Sequence, residues 1–223
     1  MIELRGVTAG GFRGASFAVG AGESCRLLLE SEADLTLFLR LIVGTARPIE
    51  GALLLFGQEL ATVAESEALD LFGRIGLVWP TGGFISNLKT WENILLPLWY
   101  HGDAQAARRE DEVIDLLGRL GMEPGRVPAF LAALPGTLPE QERLILGVTR
   151  AMMQDARLMV YAGLFEGLDG PSRARLHGET LRHQARGDGR ASLYVAASPQ
   201  GLPEPFDGIS LRQGVDGGIA PWR

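Results

Sequence analysis

The spacing of apolar and polar positions changes repeatedly along this chain, and each change marks an element. At the start, Ile2-Glu3-Leu4-Arg5 and Ala15-Ser16-Phe17-Ala18-Val19 alternate as strands with one buried face do. Each runs into turn residues, Thr8-Ala9-Gly10-Gly11 and Gly20-Ala21-Gly22. Residues 25–29 are nearly all apolar and predict a fully buried strand, followed by a helix over about 32–43. After Pro48 and Gly51, Ala52-Leu53-Leu54-Leu55-Phe56 predicts a strand closed by a turn at Gly57-Gln58. Residues 65–73 suit a short helix, and Ile75-Gly76-Leu77-Val78-Trp79 a further buried strand, stopped by Pro80-Thr81-Gly82-Gly83.

The middle of the chain takes helical spacing. Thr90 is placed to cap a helix starting at Trp91-Glu92-Asn93. A long helix is expected over 104–121, with Val113, Ile114, Leu116, Leu117 and Leu120 on its apolar side. Pro124 to Pro139 is punctuated loop and short helix. Pro139 suits the first turn of a helix running to about Gln154, with Leu144, Val148, Ala151 and Met152 on one face. Beyond it lie a strand at 157–161, a turn at Gly167-Leu168-Asp169-Gly170, an amphipathic helix over about 171–186 and a buried strand at 192–197. Ile209-Ser210-Leu211-Arg212 with Gly217-Gly218-Ile219-Ala220 suggests a terminal hairpin. Buried strands alternating with helices predict an α/β core with a mainly parallel sheet. The early alternating strands add an antiparallel flank (about 1–25 and 50–60), and 84–140 a helical subdomain, all within a single unit over 1–223.

Composition narrows the function classes. The 223 residues are 46% hydrophobic and 22% charged with a net charge of −6, an ordinary balance that gives no electrostatic reason to bind nucleic acid. The single cysteine, Cys25, excludes an internal disulfide, fits a reducing compartment and suits a small core residue. The start Met-Ile-Glu-Leu-Arg lacks the regions of a signal peptide, and no stretch of about 18 uncharged apolar residues appears, so direct membrane insertion is not expected. Of the 21 basic residues only Lys89 is lysine, a skew that a GC-rich genome explains. Cys25 and the histidines His101, His177 and His183 show no metal-ligand spacing, so no metal site is expected.

The segment with chemical interest is Leu29-Glu30-Ser31-Glu32-Ala33-Asp34-Leu35-Thr36-Leu37. It stands between a buried strand and a helix, where phosphate-binding loops sit. Such a loop needs glycines so that backbone N–H groups close around phosphate, and a lysine to reach the outer phosphates. No glycine lies between Gly22 and Gly44, and acids occupy positions 30, 32 and 34. Ser31-Glu32-Ala33-Asp34 instead fits a capping pattern, with Ser31 accepting from the Asp34 N–H and acids complementing the helix dipole.

Taken in order, several segments resemble the ATP-binding subunit of ATP-binding cassette (ABC) transporters over nearly the whole chain. They are Met-Ile-Glu-Leu-Arg-Gly-Val at the start, Leu39-Arg40-Leu41-Ile42-Val43-Gly44, Phe56-Gly57-Gln58-Glu59-Leu60, Arg74-Ile75-Gly76-Leu77-Val78, Thr149-Arg150-Ala151-Met152 and Gly167-Leu168-Asp169. The run Asn87 to Tyr100 is weakly similar to cassettes of mammalian-cell-entry-type lipid transporters. The resemblance implies a P-loop, RecA-like α/β core with a mainly parallel sheet. It also implies where the family's chemistry belongs. The P-loop falls on 29–37, with Leu35 at the lysine position and Thr36 after it. The Walker B aspartate falls on Ala162, the catalytic glutamate on Gly163 and the Q-loop glutamine on Pro80. The signature sequence falls on Leu138-Pro139-Glu140-Gln141-Glu142, and the switch histidine on about Ala197.

These replacements have physical consequences. Carboxylates from Glu30, Glu32 and Asp34 would meet the nucleotide's phosphates, at roughly 1 kcal/mol for each like-charge contact in water and more in a cleft. Alanine at 162 leaves Mg²⁺ without its carboxylate, and glycine at 163 with alanine at 197 leaves the attacking water without a base. Glu140 and Glu142 make a second helix end acidic. The expectation is a pseudo-ATPase with no catalytic residue of its own and no cofactor, occupying a cassette position as a structural or regulatory subunit. ATP and Mg²⁺ belong to the competing reading of an ATPase with unusual site residues. Ahead of that one stands the alternative of a soluble regulatory or interaction protein that kept the fold.

The partners implied by the resemblance are a membrane permease and a second cassette, as homo- or heterodimer, with the chain cytoplasmic and peripheral on the inner face of the membrane. The permease would dock on the segment Pro80 to Tyr100, with Phe84, Lys89, Trp91, Trp99 and Tyr100 as contact candidates. The same tryptophans equally suit the subdomain's own core. Asp169 falls at the family's dimer interface and equally suits a helix cap before Pro171. Arg173, Arg175 and Arg182 suit a solvated helix face.

Overall fold

The computed structural model describes residues 1–79, 83–100, 109–187 and 189–222. Two sheets form. In the first, β1 (Ile2–Ala9) pairs antiparallel with β2 (Phe12–Val19) and with β4 (Glu50–Leu55), which continues to the short β5 (Gln58–Glu59). Thr8 and Ala9, expected in the turn, are strand residues, because the hairpin closes more tightly at Gly10 and Gly11. Bulges near Gly6 let β1 keep its apolar residues inward, and Gly51 of β4 packs so closely on the Gly6 carbonyl that a Cβ there would overlap it.

The second sheet has the order β10-β9-β3-β8-β7-β6, with β3 at Ser24–Leu28, β6 at Ile75–Val78, β7 at Leu158–Ala162, β8 at Ala191–Ala196, β9 at Ile209–Gln213 and β10 at Ile219–Pro221. Strands β9, β3, β8, β7 and β6 are mutually parallel, and β10 is antiparallel to β9. The expected terminal hairpin is present, and it also joins the edge of the core sheet beside β3. Residues along β7 and β8 alternate between two cores. Leu158, Val160, Leu193 and Val195 face the N-terminal sheet and α1 (Glu32–Ile42), whereas Met159, Tyr161 and Tyr194 face the helical layer. Burial on both faces is what a parallel sheet covered by two layers requires. Cys25 lies fully buried in β3, where burial pushes its thiol up to about 12.

Helix α2 covers Glu65–Gly73, and the helical layer comprises α3 (Thr90–Tyr100), α4 (Glu110–Arg119), α5 (Val127–Ala132) and α6 (Glu140–Met153), followed by α7 (Gly170–Ala185) against the sheet. Thr90 does not cap α3. It is the first helical residue, fully buried, and its hydroxyl and N–H both donate to the Ala133 carbonyl. The Glu92 carboxylate reaches back to the Lys89 N–H at 2.7 Å in its place. Residues 104–108 of the expected long helix lie outside the described residues; α4 ends at Arg119 because Gly121 adopts a φ of +93. Ile114, expected on its apolar side, is exposed, while Val113, Leu116, Leu117 and Leu120 are buried. Among the described residues no helix is long and apolar enough to cross a membrane.

Buried Asn93 organises the turn before α3. Its carboxamide accepts from the Ile85 N–H at 2.9 Å and donates to the carbonyls of Ile85, Leu88 and Lys89 at 2.9–3.1 Å. Substituting Asn93→Ala leaves these groups unpaired and is expected to lower stability by about 2–3 kcal/mol, with faster proteolysis confined to residues 83–89. His183 of α7 is 2% exposed, and burial, aided by Arg190 and Arg186, lowers its imidazole from 6.5 to about 4. The unfolded chain takes up a proton at this site that the fold refuses, so stability falls as pH drops from 6.5 toward 4. Urea unfolding should assign about 2–3 kcal/mol of the loss between pH 7 and pH 4.5 to this group, absent in His183→Gln.

Candidate functional site

The ends of the parallel strands bring three of the sequence-expected sets to one edge of the central sheet. Leu28 is paired with Ala196, and Ala162 with Val195, so the 29–35 junction, the 162–163 pair and Ala197 all emerge at the carboxyl edge. That edge is where open α/β sheets hold ligands. Only three residues, Leu29 to Ser31, connect β3 to α1, too short a link for a wide phosphate cradle.

Four donors at this junction, the N–H groups of Leu29, Glu30, Asp34 and Leu35, have acceptors within the chain. The Leu29 N–H donates to the Ala196 carbonyl at 2.8 Å, and the Glu30 N–H to Oε1 of Gln213 at 3.0 Å. Ser31 is the N-cap of α1: its Oγ accepts from the Asp34 N–H at 3.1 Å, and its carbonyl accepts from the Leu35 N–H at 3.0 Å. The Ser31 hydroxyl in turn donates to the Asp34 carboxylate at 2.7 Å. That carboxylate lies so close to the β1–β2 turn that a Cβ on Gly11 would overlap it. Glu32, Ala33 and Thr36 are exposed, so the rest of the first turn is open to water. The Glu30 carboxylate, expected to repel phosphate, is partnered by Arg212 at 3.3 Å, which reduces that repulsion.

Leu35 is 2% exposed and belongs to the core formed with Phe38, Leu39 and β3. Its side chain is part of the packing of α1 on the sheets, so the position offers no group to the carboxyl edge. Ala162 is the last residue of β7 and is also buried. Gly163 has a φ of +59, its N–H donates to the Val195 carbonyl at 2.8 Å, and Gly201 packs against it from the short turn after β8. Ala197 follows the end of β8 and is half-buried. Pro80 lies outside the described residues.

The fourth set does not share that edge. Pro139 is the N-cap residue of α6, one position before the expected first turn, and it has no side-chain acceptor to give. Glu140 is exposed, while Glu142 is held by Arg126 through two bonds of 2.8 Å. The acidic helix end is therefore partly neutralised from within the helical layer.

Among the docking candidates, Phe84 and Trp91 pack against the helical core, with the Arg150 guanidinium 4.7 Å above the Phe84 ring. Burial lowers Arg150 to about 10. Trp99 and Tyr100 are 44% and 67% exposed, and Lys89 is also exposed. The segment thus divides between the two roles expected for it. Asp169 caps α7, accepting from the Ser172 N–H at 2.7 Å, and this bond lowers its carboxyl. Arg175 and Arg182 are exposed as expected. Arg173 is not on a solvated face: its guanidinium donates to the carbonyls of Phe165, Gln200 and Leu202 at 2.7–3.0 Å and ties α7 to the turn after β8.

Gln213 and Arg126 escaped the reading of the sequence. For Gln213 a signal existed, because positions 209, 211 and 213 share one phase of a strand and a glutamine occupies its last, inward position.

No family model matches this chain. Its fold superposes on the dimeric post-hydrolysis structure of the ATP-binding cassette MJ0796 bound to ADP and Pi with a TM-score of 0.80, covering 100% of this chain and 99% of that one at 18% identity. The chain has the fold of an ABC transporter ATP-binding cassette. In sequence, the chain is 28% identical over 178 residues to the methionine import ATP-binding protein MetN 1 of Rhodococcus jostii, covering 76% of this chain and 51% of that protein. It is 31% identical over 172 residues to MetN 2 of Burkholderia mallei, covering 74% of this chain and 38% of that protein. The chain therefore spans about half the length of the first of these relatives and 38% of the second.

Removing the cap tests the local energetics of the junction. Ser31→Ala is expected to destabilise the cassette by about 1 kcal/mol, a fall of about 2–4 °C in Tm, and Ser31→Asp to retain most of that stability.

Proposed function

We propose that this cassette is a subunit of an ABC-type membrane transport complex that neither binds nor hydrolyses ATP at its own site. The observation that carries this reading is the β3–α1 junction. There the N–H groups of Leu29, Glu30, Asp34 and Leu35 are used by acceptors of the chain itself, and the position of the phosphate-binding lysine is Leu35, packed in the core. A nucleotide entering this edge would have to displace those bonds, and it would find leucine at the lysine position, alanine at the Walker B position and glycine at the position of the catalytic glutamate. The named roles of the relatives, ATP-binding proteins of methionine import, favour a place in a transport assembly. There the cassette would dock on a permease at the cytoplasmic face of the membrane and pair with a second cassette. Its contribution would be mechanical: a rigid body with Trp99 and Tyr100 at the surface of the segment assigned to permease contact.

Isothermal titration of the purified chain with Mg-ATP and ADP should give no saturable heat, and no steady phosphate release. Tight Mg²⁺-dependent binding with turnover would overturn the reading. Restoring the lysine alone, in Leu35→Lys, is expected to gain no nucleotide binding and to cost about 3 kcal/mol or more, because an ammonium replaces a packed leucine. In a pull-down under mild detergent, a permease and a second cassette should accompany the chain. Recovery with soluble proteins alone would favour the regulatory reading instead.

A further inference from the structure

The β3–α1 junction receives an acceptor from the far end of the chain. Gln213, at the end of β9, is 1% exposed, and its carboxamide bridges two backbones distant in sequence. Its Oε1 accepts from the Glu30 N–H at 3.0 Å and its Nε2 donates to the Gly11 carbonyl at 3.0 Å. These partners fix the orientation of the amide, since an N–H requires the oxygen and a carbonyl the nitrogen. Two further contacts run the same way. Arg212 reaches the Glu30 carboxylate at 3.3 Å, and the Gly217 carbonyl accepts from the Arg13 N–H at 3.0 Å. Gly217 itself lies so close to Gly11 that it has no room for a Cβ.

We propose that the β9–β10 hairpin is a built-in occupant of the former phosphate position, with Gln213 as its positioning residue. The carboxamide oxygen takes a backbone N–H of the strand-to-helix link, the kind of donor a phosphate oxygen takes in a phosphate loop, while the amide nitrogen holds the β1–β2 turn beside the first turn of α1. The link between β3 and α1 thereby keeps one conformation without nucleotide. This inference rests on the reading of the junction as a phosphate position that has lost its ligand. Its own content is that the C-terminal hairpin, through Gln213, replaces that ligand.

Amide hydrogen exchange on the full chain tests it. Without nucleotide, the Glu30 amide of the wild type should exchange slowly, in the range of the β7 amides. In Gln213→Ala it should exchange at least tenfold faster, with the β7 amides moved far less. A Glu30 amide that exchanges at open-loop rates in the wild type overturns the clamp, and this measurement stands even where the variant fails to fold. A Glu30 amide unaffected by Gln213→Ala overturns it equally. Mg-ATP added to the wild type should leave Glu30 exchange unchanged. If the clamp is present and Mg-ATP nonetheless slows exchange at residues 30–34, the pseudo-ATPase reading fails and the hairpin is not an occupant.

Discussion

A parallel sheet buried on both faces forces each strand to end at the same edge and the chain to turn there into a helix. At every such turn the first N–H groups of the helix, and those just before it, lack partners within the secondary structure. Most of this architecture depends on how that requirement is met where β3 passes into α1, the centre of the sheet. Here three parts of the chain supply acceptors: the end of β8 through Ala196, the cap through Ser31, and the C-terminal hairpin through Gln213. The junction is consequently also where the N-terminal hairpin, the central sheet and the terminal hairpin meet.

The same solution recurs in weaker form elsewhere on the carboxyl edge. Gly163 gives its N–H to Val195, and Gly201 fills the space beside it. Arg173 then gathers three carbonyls of the surrounding turns, so protein groups hold this part of the edge as well. Charge follows the same logic. The acids that look repulsive in the linear sequence are largely placed beside cations or donors: Glu30 by Arg212, Glu142 by Arg126 and Asp34 by Ser31. They complement helix N-termini and local bonds.

The helical layer divides its apolar residues between core and surface. Asn93 fixes the 85–89 turn from inside, Phe84 and Trp91 pack inward, and Trp99 and Tyr100 remain outside. The bonds of Asn93 stiffen the 85–89 turn from within. Stiffness of that sort lowers the ordering cost of docking another protein.

Periodicity and local chemistry along the sequence were enough to determine the elements and the class of fold. The apolar runs of β3, β7 and β8 announce a doubly covered sheet, and Ser31 with Asp34 announces a helix cap, since these signals act over a few residues. The missing glycines and lysine were equally legible, because composition needs no folding to be read. Only the tertiary structure decided which groups of the chain serve the β3–α1 junction instead. That Gln213 would reach Glu30 and Gly11, that Arg173 would turn inward, that Arg126 would hold Glu142 and that Thr90 would be tied to Ala133 rather than cap its helix all depend on contacts between distant segments. Each is a hydrogen bond whose geometry exists only after the sheet has set the spacing of its strands, and strand order is not written in the period of any one strand.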